Sequence, residues 1–402
     1  MKILWFSNVD IASDTMSESG TWVMAMSRAL CLLDSDIEIS NISMSEEDSD
    51  RSIEGGRIRQ IKIKSTSINE YLVSKVKGYI KDIKPCLLHV WGTESMWASF
   101  PFGTELPVLV DMQGIVSTVY DNFYGGLSAS EIRSCWTLKE CLKPTSSLQY
   151  ARHIYKSQIL RESNVIKSLN YVSVQSSWVE GHIRALNPRC KVFHTGIALR
   201  PEFYSAKKWS VNVGASPVIF STAMMSTPLK GLHTLLRALV IIRQYFPSVI
   251  LRLAGAIQSG IRMGGYAKLL HKYINHNNLQ SNIKFLGALD TNSLIKEYQT
   301  ASVVVNPSSI ESYSLVVAEA MHIGSPVVAA YVGGMAELGK NNESILYFPK
   351  EDYVTCARRI IEILENNTLS TFLSKNAIDC SCNRDSLETI ASKQLHIYNS
   401  LL

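Results

Sequence analysis

The 402-residue chain lacks several features that would assign it to a class at once. No apolar run reaches the roughly 18 residues that a transmembrane helix needs, so we expect no membrane span. The eight cysteines form no C-x-x-C pair and no cysteine and histidine cluster with zinc spacing. We therefore expect reduced cysteines that pack as small apolar side chains, and we expect no metal site.

Features typical of nucleic-acid and redox proteins are also missing. The formal net charge of +5 is spread over both halves, and no basic stripe with interleaved aromatic residues is present. We expect no nucleic-acid partner. No G-x-G-x-x-G sequence follows the first predicted strand, which makes a dinucleotide-dependent redox enzyme the least favoured class.

The start of the chain bears on location. Residues 1–7 have the pattern of a strand rather than a basic segment followed by a long apolar stretch. We therefore expect no secretory signal and a cytoplasmic protein. Any membrane contact would then be peripheral, on the inner face of the cell membrane.

Length and composition favour two packed α/β domains. A chain of this length, 46% hydrophobic and 19% charged, exceeds what one hydrophobic core usually supports. Strand patterns alternate with helical patterns in both halves, which predicts two doubly wound parallel-sheet, Rossmann-like domains. The predicted divisions are an N-terminal domain over 1–197, an interdomain linker over 198–216, a C-terminal domain over 217–386 and a last helix over 387–402.

Individual elements can be predicted from periodicity. Apolar spacing predicts helices over 21–33, 69–84, 177–186 and 353–366. Short apolar runs predict strands over 2–8, 37–42, 57–63, 86–91, 107–112, 167–176, 191–196, 217–225, 249–255, 282–287, 301–307 and 326–330. The polar, acidic stretch 45–56 is interpreted as a solvated loop.

The most informative segment covers residues 307–326. Glu311 and Glu319 lie eight positions apart across the start of an apolar helix that follows a hydrophobic strand. A ligand along the helix start could meet one carboxylate at each end, and amide groups there could face an anion. The candidate amide donors are those of Ser312, Ser314, Leu315 and Val316. An ordinary helix with an acidic first turn is an equally good interpretation of this segment alone.

A second candidate segment follows the strand predicted over 217–225. Lys230 and Gly231 lie where the loop after that strand leads into a long amphipathic helix. A lysine at this junction can neutralise a phosphate, and glycine lets the backbone come close to a ligand. The alternative is a solvated surface lysine, which is the more common situation.

These segments carry a family resemblance. Together with the turn of Gly333, Gly334 and Glu337, and in this order and spacing, they resemble the donor half of family 4, the retaining nucleotide-sugar glycosyltransferases of the GT-B fold. The resemblance covers residues 215–385 well and the first half loosely. It implies two Rossmann-like domains facing a cleft, with the last helix crossing back onto the first domain.

The resemblance also implies an activity. A sugar, of the hexosyl type, would pass from a nucleoside-diphosphate sugar to a hydroxyl of a saccharide or lipid-linked acceptor with retention. No metal or cofactor would be needed, and the usual employment is cell-envelope or exopolysaccharide synthesis. Lys230 and the helix amides would hold the diphosphate, Glu311 the hydroxyls of the transferred sugar, and Glu319 the ribose.

The resemblance assigns further donor contacts at other strand ends. Gly255 and Gly287 end two predicted strands, and Ala288 and Leu289, after the second, would be neighbours of the nucleotide base. In the first half, Gly20 would approach the donor phosphates, although a plain helix-start glycine is an equally good interpretation. Gln113 stands where relatives carry histidine, so it would position sugar hydroxyls without transferring a proton.

Two departures from the family pattern keep other functions open. Relatives carry an arginine about six residues before the lysine, where this chain has residues 223–225, Ala-Met-Met. Ser314 replaces a glycine, which predicts a narrower sugar pocket and a different donor. A non-catalytic protein that binds a nucleotide sugar or a partner enzyme remains an alternative. So does a GT-B sugar-nucleotide epimerase, although Gln113 removes one candidate acid or base.

Residues 116–165 are the least regular part of the first half and are rich in aromatic residues. Between residues 133 and 167, seven basic residues accompany only two acidic ones, Glu140 and Glu162. We hypothesise that this segment shapes the acceptor pocket and lies near anionic headgroups or a lipid-linked acceptor. Solvated helical faces are the simpler interpretation.

Overall fold

The fold was obtained as a computed structural model that describes residues 1–13, 20–211, 216–256, 258, 260 and 263–402. Residues 14–19, which precede Gly20, and residues 212–215 of the predicted linker lie outside the described residues. Among those described, no helix is long and apolar enough to cross a bilayer.

The first sheet has the strand order β3-β4-β2-β1-β5-β6-β7-β8. Its strands are β1 (Lys2–Phe6), β2 (Glu38–Ser45), β3 (Ser49–Ile53), β4 (Ile58–Lys64), β5 (Leu87–Trp91), β6 (Val108–Asp111), β7 (Tyr171–Val174) and β8 (Lys191–His194). All neighbours pair in parallel except β3 and β4, which are antiparallel.

The second sheet has the order β11-β10-β9-β12-β13-β14, and all of its pairs are parallel. Its strands are β9 (Val218–Ser221), β10 (Ile250–Ala254), β11 (Ile283–Gly287), β12 (Val303–Asn306), β13 (Val327–Ala330) and β14 (Leu346–Phe348). In this order the chain moves outward from β9 in one direction, then returns to the other side of β9 with β12. This is a doubly wound sheet.

Helices connect the strands. They are α1 (Thr21–Leu33), α2 (Glu70–Ile83), α3 (Val116–Asn122), α4 (Ala129–Ser134), α5 (Leu138–Leu142), α6 (Leu148–Ser168), α7 (Ser177–Leu186), α8 (Pro201–Ser205), α9 (Leu232–Tyr245), α10 (Gly265–His276), α11 (Thr291–Thr300), α12 (Leu315–Ile323), α13 (Tyr353–Glu365), α14 (Asn367–Asp385) and α15 (Leu387–Asn399).

The chain divides into two compact units. One comprises residues 1–115, 160–201 and 384–402, and the other comprises residues 116–159 and 202–383. In the first unit, α15 packs against α1. In the second, residues 116–159 are joined to the sheet-bearing part by an ion pair between Glu131 and Arg237. The domain boundaries predicted from the sequence stay predictions.

Strand β1 shows why the first sheet is central to its unit. Ile3 and Trp5 belong to one apolar cluster, and Leu4 and Phe6 belong to another. Because successive side chains of a strand point to opposite faces, the sheet is covered on both sides. A parallel sheet that is buried on both faces is expected to contain such continuous apolar strands.

The α/β class and the two doubly wound sheets predicted from the sequence are confirmed. Helices 21–33 and 177–186 have the predicted bounds. The interpretation of residues 45–56 as a loop was wrong, because Ser49–Ile53 is the antiparallel edge strand β3 and Glu54–Gly56 a 3₁₀ turn. The strand predicted over 167–176 begins only at Tyr171, since α6 continues to Ser168.

Candidate functional site

The centre of the second sheet contains the point at which the strand order reverses, between β9 and β12. In open α/β sheets, ligands bind outside the carboxyl ends of the strands at this point. The chain leaving β9 carries Lys230, and the chain leaving β12 carries Glu311. The topology therefore brings the two predicted residues to the same edge of the sheet.

Lys230 and Glu311 are in direct contact. The Nζ atom of Lys230 donates to Oε1 of Glu311 at 2.6 Å. The side chain of Lys230 is 32% exposed and that of Glu311 is 16% exposed, so both charged groups are partly accessible. The pair joins two loops that are 81 residues apart in sequence.

The loop carrying Lys230 is held against the loop after β12. The amide of Ser309 donates to the carbonyl of Leu229 at 2.9 Å. Gly231 has φ of +68°, and a Cβ atom there would lie 1.9 Å from the carbonyl oxygen of Pro307. Only glycine combines this conformation with such a close approach, so Gly231 determines where Lys230 is placed.

The backbone of Glu311 is held from a third strand end. The amide of Gly334 donates to the carbonyl of Glu311 at 2.9 Å. A Cβ atom at Gly333, whose φ is +49°, would lie 2.1 Å from the same oxygen. The predicted glycine turn after β13 thus holds the Glu311 loop in place, while Glu337, at the end of this 3₁₀ turn, is exposed.

Ser314 begins α12 in an unusual conformation, with φ of 94° and ψ of 91°. Its Oγ accepts hydrogen bonds from Asn306 Nδ2 at 2.8 Å and from the amide of Val317 at 3.3 Å. A side chain is strained at such a positive φ, where glycine is favoured. Asn306 was missed in the sequence analysis, because a polar residue ending a strand carries no specific signal.

The two glutamates do not share a helix. Since α12 begins at Leu315, Glu311 lies four residues before it and only Glu319 is helical. Helical geometry therefore applies only to the second half of the eight-residue interval between the two glutamates. Glu319 is 5% exposed and accepts a hydrogen bond at 3.1 Å from the hydroxyl of Tyr298, which is fully buried.

Comparison with known proteins identifies the segment that contains these residues. Residues 207–379 match the family model described as glycosyl transferases group 1. The chain carries a glycosyl transferases group 1 domain. This domain includes Lys230, Gly231, Glu311, Glu319 and the glycine turn after β13. The family resemblance noted in the sequence is thereby confirmed for the glycosyltransferase family.

Relatives by sequence are matched over part of their length. A D-inositol 3-phosphate glycosyltransferase of Corynebacterium urealyticum is 28% identical over 176 residues, which are 43% of this chain and 41% of that protein. One from Salinispora arenicola is 29% identical over 158 residues, 39% of this chain and 35% of that protein. The match thus spans about two fifths of the length of these curated relatives or less.

Solved structures extend the likeness to the whole chain. A sucrose-phosphate synthase from Thermosynechococcus elongatus has a TM-score of 0.77 at 19% identity, covering 100% of this chain and 98% of that one. Anabaena HepE in complex with UDP-glucose has a TM-score of 0.70 at 18% identity, covering 100% of both chains. These similarities confirm the GT-B fold.

Other predicted contacts lie at strand ends of both units. In the group 1 domain, Ala288 is exposed and Leu289 half-buried, directly after β11. In the first unit, Gly20 is buried and immediately precedes α1, and Gln113 is half-buried two residues after β6. The structure thus brings Lys230 and Glu311 into contact and places these other residues at separate strand or helix ends. Their roles stay predictions.

A buried carboxylate beside Gln113 was also missed. Asp111, at the end of β6, accepts hydrogen bonds at 2.8 Å from Ser173 Oγ and from Gln175 Nε2. Burial raises its pKa to about 7, although these hydrogen bonds act in the opposite direction. Only the arrangement of β6 and β7 reveals this site, because its partners lie more than 60 residues away.

No group of three or more histidine, cysteine, aspartate or glutamate side chains is placed to hold a metal ion within the part of the chain that the structure describes.

Proposed function

We propose that the protein is a glycosyltransferase that moves a sugar from a nucleoside-diphosphate sugar to a hydroxyl of a saccharide or lipid-linked acceptor. The observation that carries this proposal is the Lys230–Glu311 pair at the reversal point of the second sheet. A cation and a carboxylate at such a point suit a ligand with an anionic half and a hydroxyl-rich half.

The cationic side of the site matches the charge that develops during transfer. When the glycosyl-phosphate bond breaks, negative charge grows on the diphosphate, and a fixed ammonium group stabilises it. Lys230 supplies this group. The first amides of α12, those of Leu315 and Val316, have no acceptor within the helix and add favourable dipoles for an anion.

The carboxylate side of the site suits the sugar. In the structure, Glu311 accepts from Lys230, which keeps both side chains oriented. When a donor binds, the diphosphate takes over Lys230, and Glu311 accepts hydrogen bonds from sugar hydroxyls instead. The carboxylate is then placed to stabilise the positive charge of an oxocarbenium-like species. Glu319 is proposed to contact the ribose, by rearranging around its bond to Tyr298.

The names of relatives support a nucleotide-sugar donor. The curated relatives are glycosyltransferases, and the HepE structure contains UDP-glucose. We extend this to a uridine-diphosphate hexose as the first donor to test. Retention of configuration, independence of metals and cofactors, and a role in cell-envelope or exopolysaccharide synthesis at the inner face of the membrane belong to the same proposal.

A non-catalytic binding protein is the second candidate. It is favoured by Met224, which is 39% exposed where the family resemblance leads one to expect a phosphate-binding arginine. Such a protein would bind the nucleotide sugar through Lys230 but would not accelerate cleavage of the glycosyl-phosphate bond. The two candidates therefore differ in turnover and not in binding.

A panel of UDP, GDP and ADP sugars tests both. The first expected result is a rise in Tm with one nucleotide class, because a ligand that binds only the folded state stabilises it. The second is slow hydrolysis of the donor in the absence of an acceptor. Both effects should be lost in Lys230→Ala. Binding without hydrolysis or transfer would identify the non-catalytic protein. If no nucleotide sugar changes Tm, or if Lys230→Ala behaves as wild type, the proposed site is wrong.

A further inference from the structure

An exposed apolar surface lies in the short stretch between α4 and the turn after α5. Trp136, Leu138 and Leu142 are 42%, 75% and 80% exposed. Single exposed hydrophobic residues are ordinary, but three large ones within seven residues form a local patch, which often marks an interaction site. We call Trp136, Leu138 and Leu142, together with the flanking Arg133 and Lys143, the α5 surface.

The opposite side of this stretch is fixed to α10. Glu140 is 1% exposed, and its Oε1 accepts from the amide of Gly265 at 3.1 Å. Its Oε2 accepts from the amide of Thr137 at 3.0 Å, so that one carboxylate caps two helices. The Nζ of Lys268 donates to Thr137 Oγ1 at 3.0 Å.

Close backbone packing reinforces this attachment. A Cβ atom at Gly265 would lie 1.6 Å from the carbonyl oxygen of Cys135. The inner side of the stretch is therefore occupied by hydrogen bonds and backbone contacts. Leu138 and Leu142 are four positions apart and share one face of α5, with Glu140 between them directed inward. Turning the leucines inward would break the bonds of Glu140, so the structure holds them outward.

The sequence segment that contains the patch is cationic. Between residues 133 and 156 the only acidic residue is the buried Glu140. The basic residues in this range are Arg133, Lys139, Lys143, Arg152 and Lys156. Arg133 and Lys143 are exposed, and they precede and follow the apolar residues in the sequence. On the neighbouring α6, Tyr150 and Ile154 are also partly exposed.

We propose that the α5 surface binds a lipid bilayer that carries anionic headgroups. Apolar side chains bordered by cations are the arrangement that enters the boundary between headgroups and acyl chains while the cations contact lipid phosphates. A second copy of the chain fits less well. A two-fold contact would bring two copies of the same cationic surface together, and like charges would oppose association.

The test uses the full-length protein and sedimentation with vesicles. One set contains phosphatidylglycerol and phosphatidylcholine, and the other contains phosphatidylcholine alone. The apolar variant is Leu138→Ser with Leu142→Ser, and its matched control is Leu32→Ser on α1, where the leucine is 79% exposed. The charge variant is Arg133→Gln with Lys143→Gln. Its matched control is Arg358→Gln with Lys340→Gln, whose side chains are 79% and 76% exposed.

Wild type should bind the anionic vesicles and bind phosphatidylcholine vesicles at least about tenfold less, with weaker binding at high salt. The apolar variant should lose roughly tenfold or more in partitioning, because two inserted side chains are shortened. The charge variant should lose binding to anionic vesicles specifically. Both control variants should bind as wild type does.

Three results would overturn the proposal. The first is that wild type does not sediment with anionic vesicles, and the second is that the apolar variant binds them as wild type does. The third is that wild type forms an oligomer in lipid-free solution and does not bind vesicles, and that Leu138→Ser with Leu142→Ser dissociates this oligomer. The last result would assign the surface to a second copy. Donor hydrolysis without acceptor should be the same in all four variants, so failure here is distinct from failure of the proposed activity.

Discussion

Lys230 Nζ lies 2.6 Å from Glu311 Oε1, and this contact links the segments that follow β9 and β12. We predict that Lys230→Ala and Glu311→Ala each lower sugar transfer a hundredfold or more, since each removes a preorganised charge from the transition state. Transfer rates with the donor identified by the panel are the measurement. Circular dichroism and Tm should show an intact fold.

A matched pair on the surface provides the control. Lys340 and Glu343 are also 2.6 Å apart but are far more exposed, at 76% and 50%. Lys340→Ala and Glu343→Ala should leave transfer unchanged, because an exposed ion pair contributes little. The double variant of Lys230 and Glu311 should lose less than the product of the two single effects, as expected for residues that act together. Full activity in either single variant would contradict the assigned site.

Gly231 provides a second prediction. Gly231→Ala should destabilise the second unit by about 1–3 kcal/mol and displace Lys230, because alanine is strained at this φ and its Cβ meets the carbonyl of Pro307. Urea unfolding and nucleotide-sugar affinity are the measurements. Affinity should fall together with stability.

Gly181→Ala is the control for this change. Gly181 lies inside α7, where a Cβ atom would have no neighbour within 4 Å. This substitution should stabilise the protein by about 0.5–1 kcal/mol, since alanine favours a helix over glycine. If Gly231→Ala is as stable as Gly181→Ala, the close approach to Pro307 does not constrain the loop.

The sequence predicted that Lys230 and Glu311 each follow a strand, and the family resemblance assigned both residues to one donor site. Two apolar runs predicted parallel strands, and parallel strands bring their carboxyl ends to one edge of a sheet. Helix α7 was equally predictable, because Ser176 caps a regular apolar pattern. The roles of the site residues stay predictions, since they depend on a donor that residue patterns do not specify.

Other parts of the fold depend on side-chain pairs that apolar periodicity does not reveal. Four of the five residues of strand β3 are polar, so it looked like a loop, but Asp50 accepts from Arg59 Nε at 2.9 Å and from Arg59 Nη2 at 2.6 Å across the antiparallel pair. The attachment of residues 116–159 depends on pairs such as Glu131 with Arg237, which are 106 positions apart. Local periodicity carries no information about such pairs.

Ser314 provides a third prediction. Ser314→Ala keeps the strained backbone and loses the hydrogen bonds from Asn306 and Val317, whereas Ser314→Gly loses the bonds but relieves the strain. Ser314→Ala should therefore be less stable than Ser314→Gly by about 1–3 kcal/mol. Urea unfolding of both variants measures this difference. Equal stabilities would show that the backbone of Ser314 is not strained.

His89 provides a prediction about pH. It is fully buried, its Nδ1 lies 2.8 Å from the hydroxyl of Tyr398, and its Nε2 has no described partner. Burial lowers its pKa to about 3, compared with about 6.5 in an unfolded chain. Protonation therefore favours the unfolded state. This contribution to stability is complete above pH 6.5 and is lost progressively as the pH falls toward 3.

The pH slope of unfolding measures the effect of His89. In wild type, this residue should remove up to about 1.4 kcal/mol of stability per pH unit below its unfolded pKa. His89→Gln should be less stable at pH 8 because it disturbs a packed site, but its stability should decline less steeply between pH 6 and pH 4.

Urea unfolding followed by tryptophan fluorescence suits this test, since Trp5 and Trp91 contact the His89 ring. His276→Gln, at an exposed position on α10, controls for the loss of a histidine as such. Parallel curves for wild type and His89→Gln would mean that the ring takes up its proton without unfolding, and that the first unit admits water to this position.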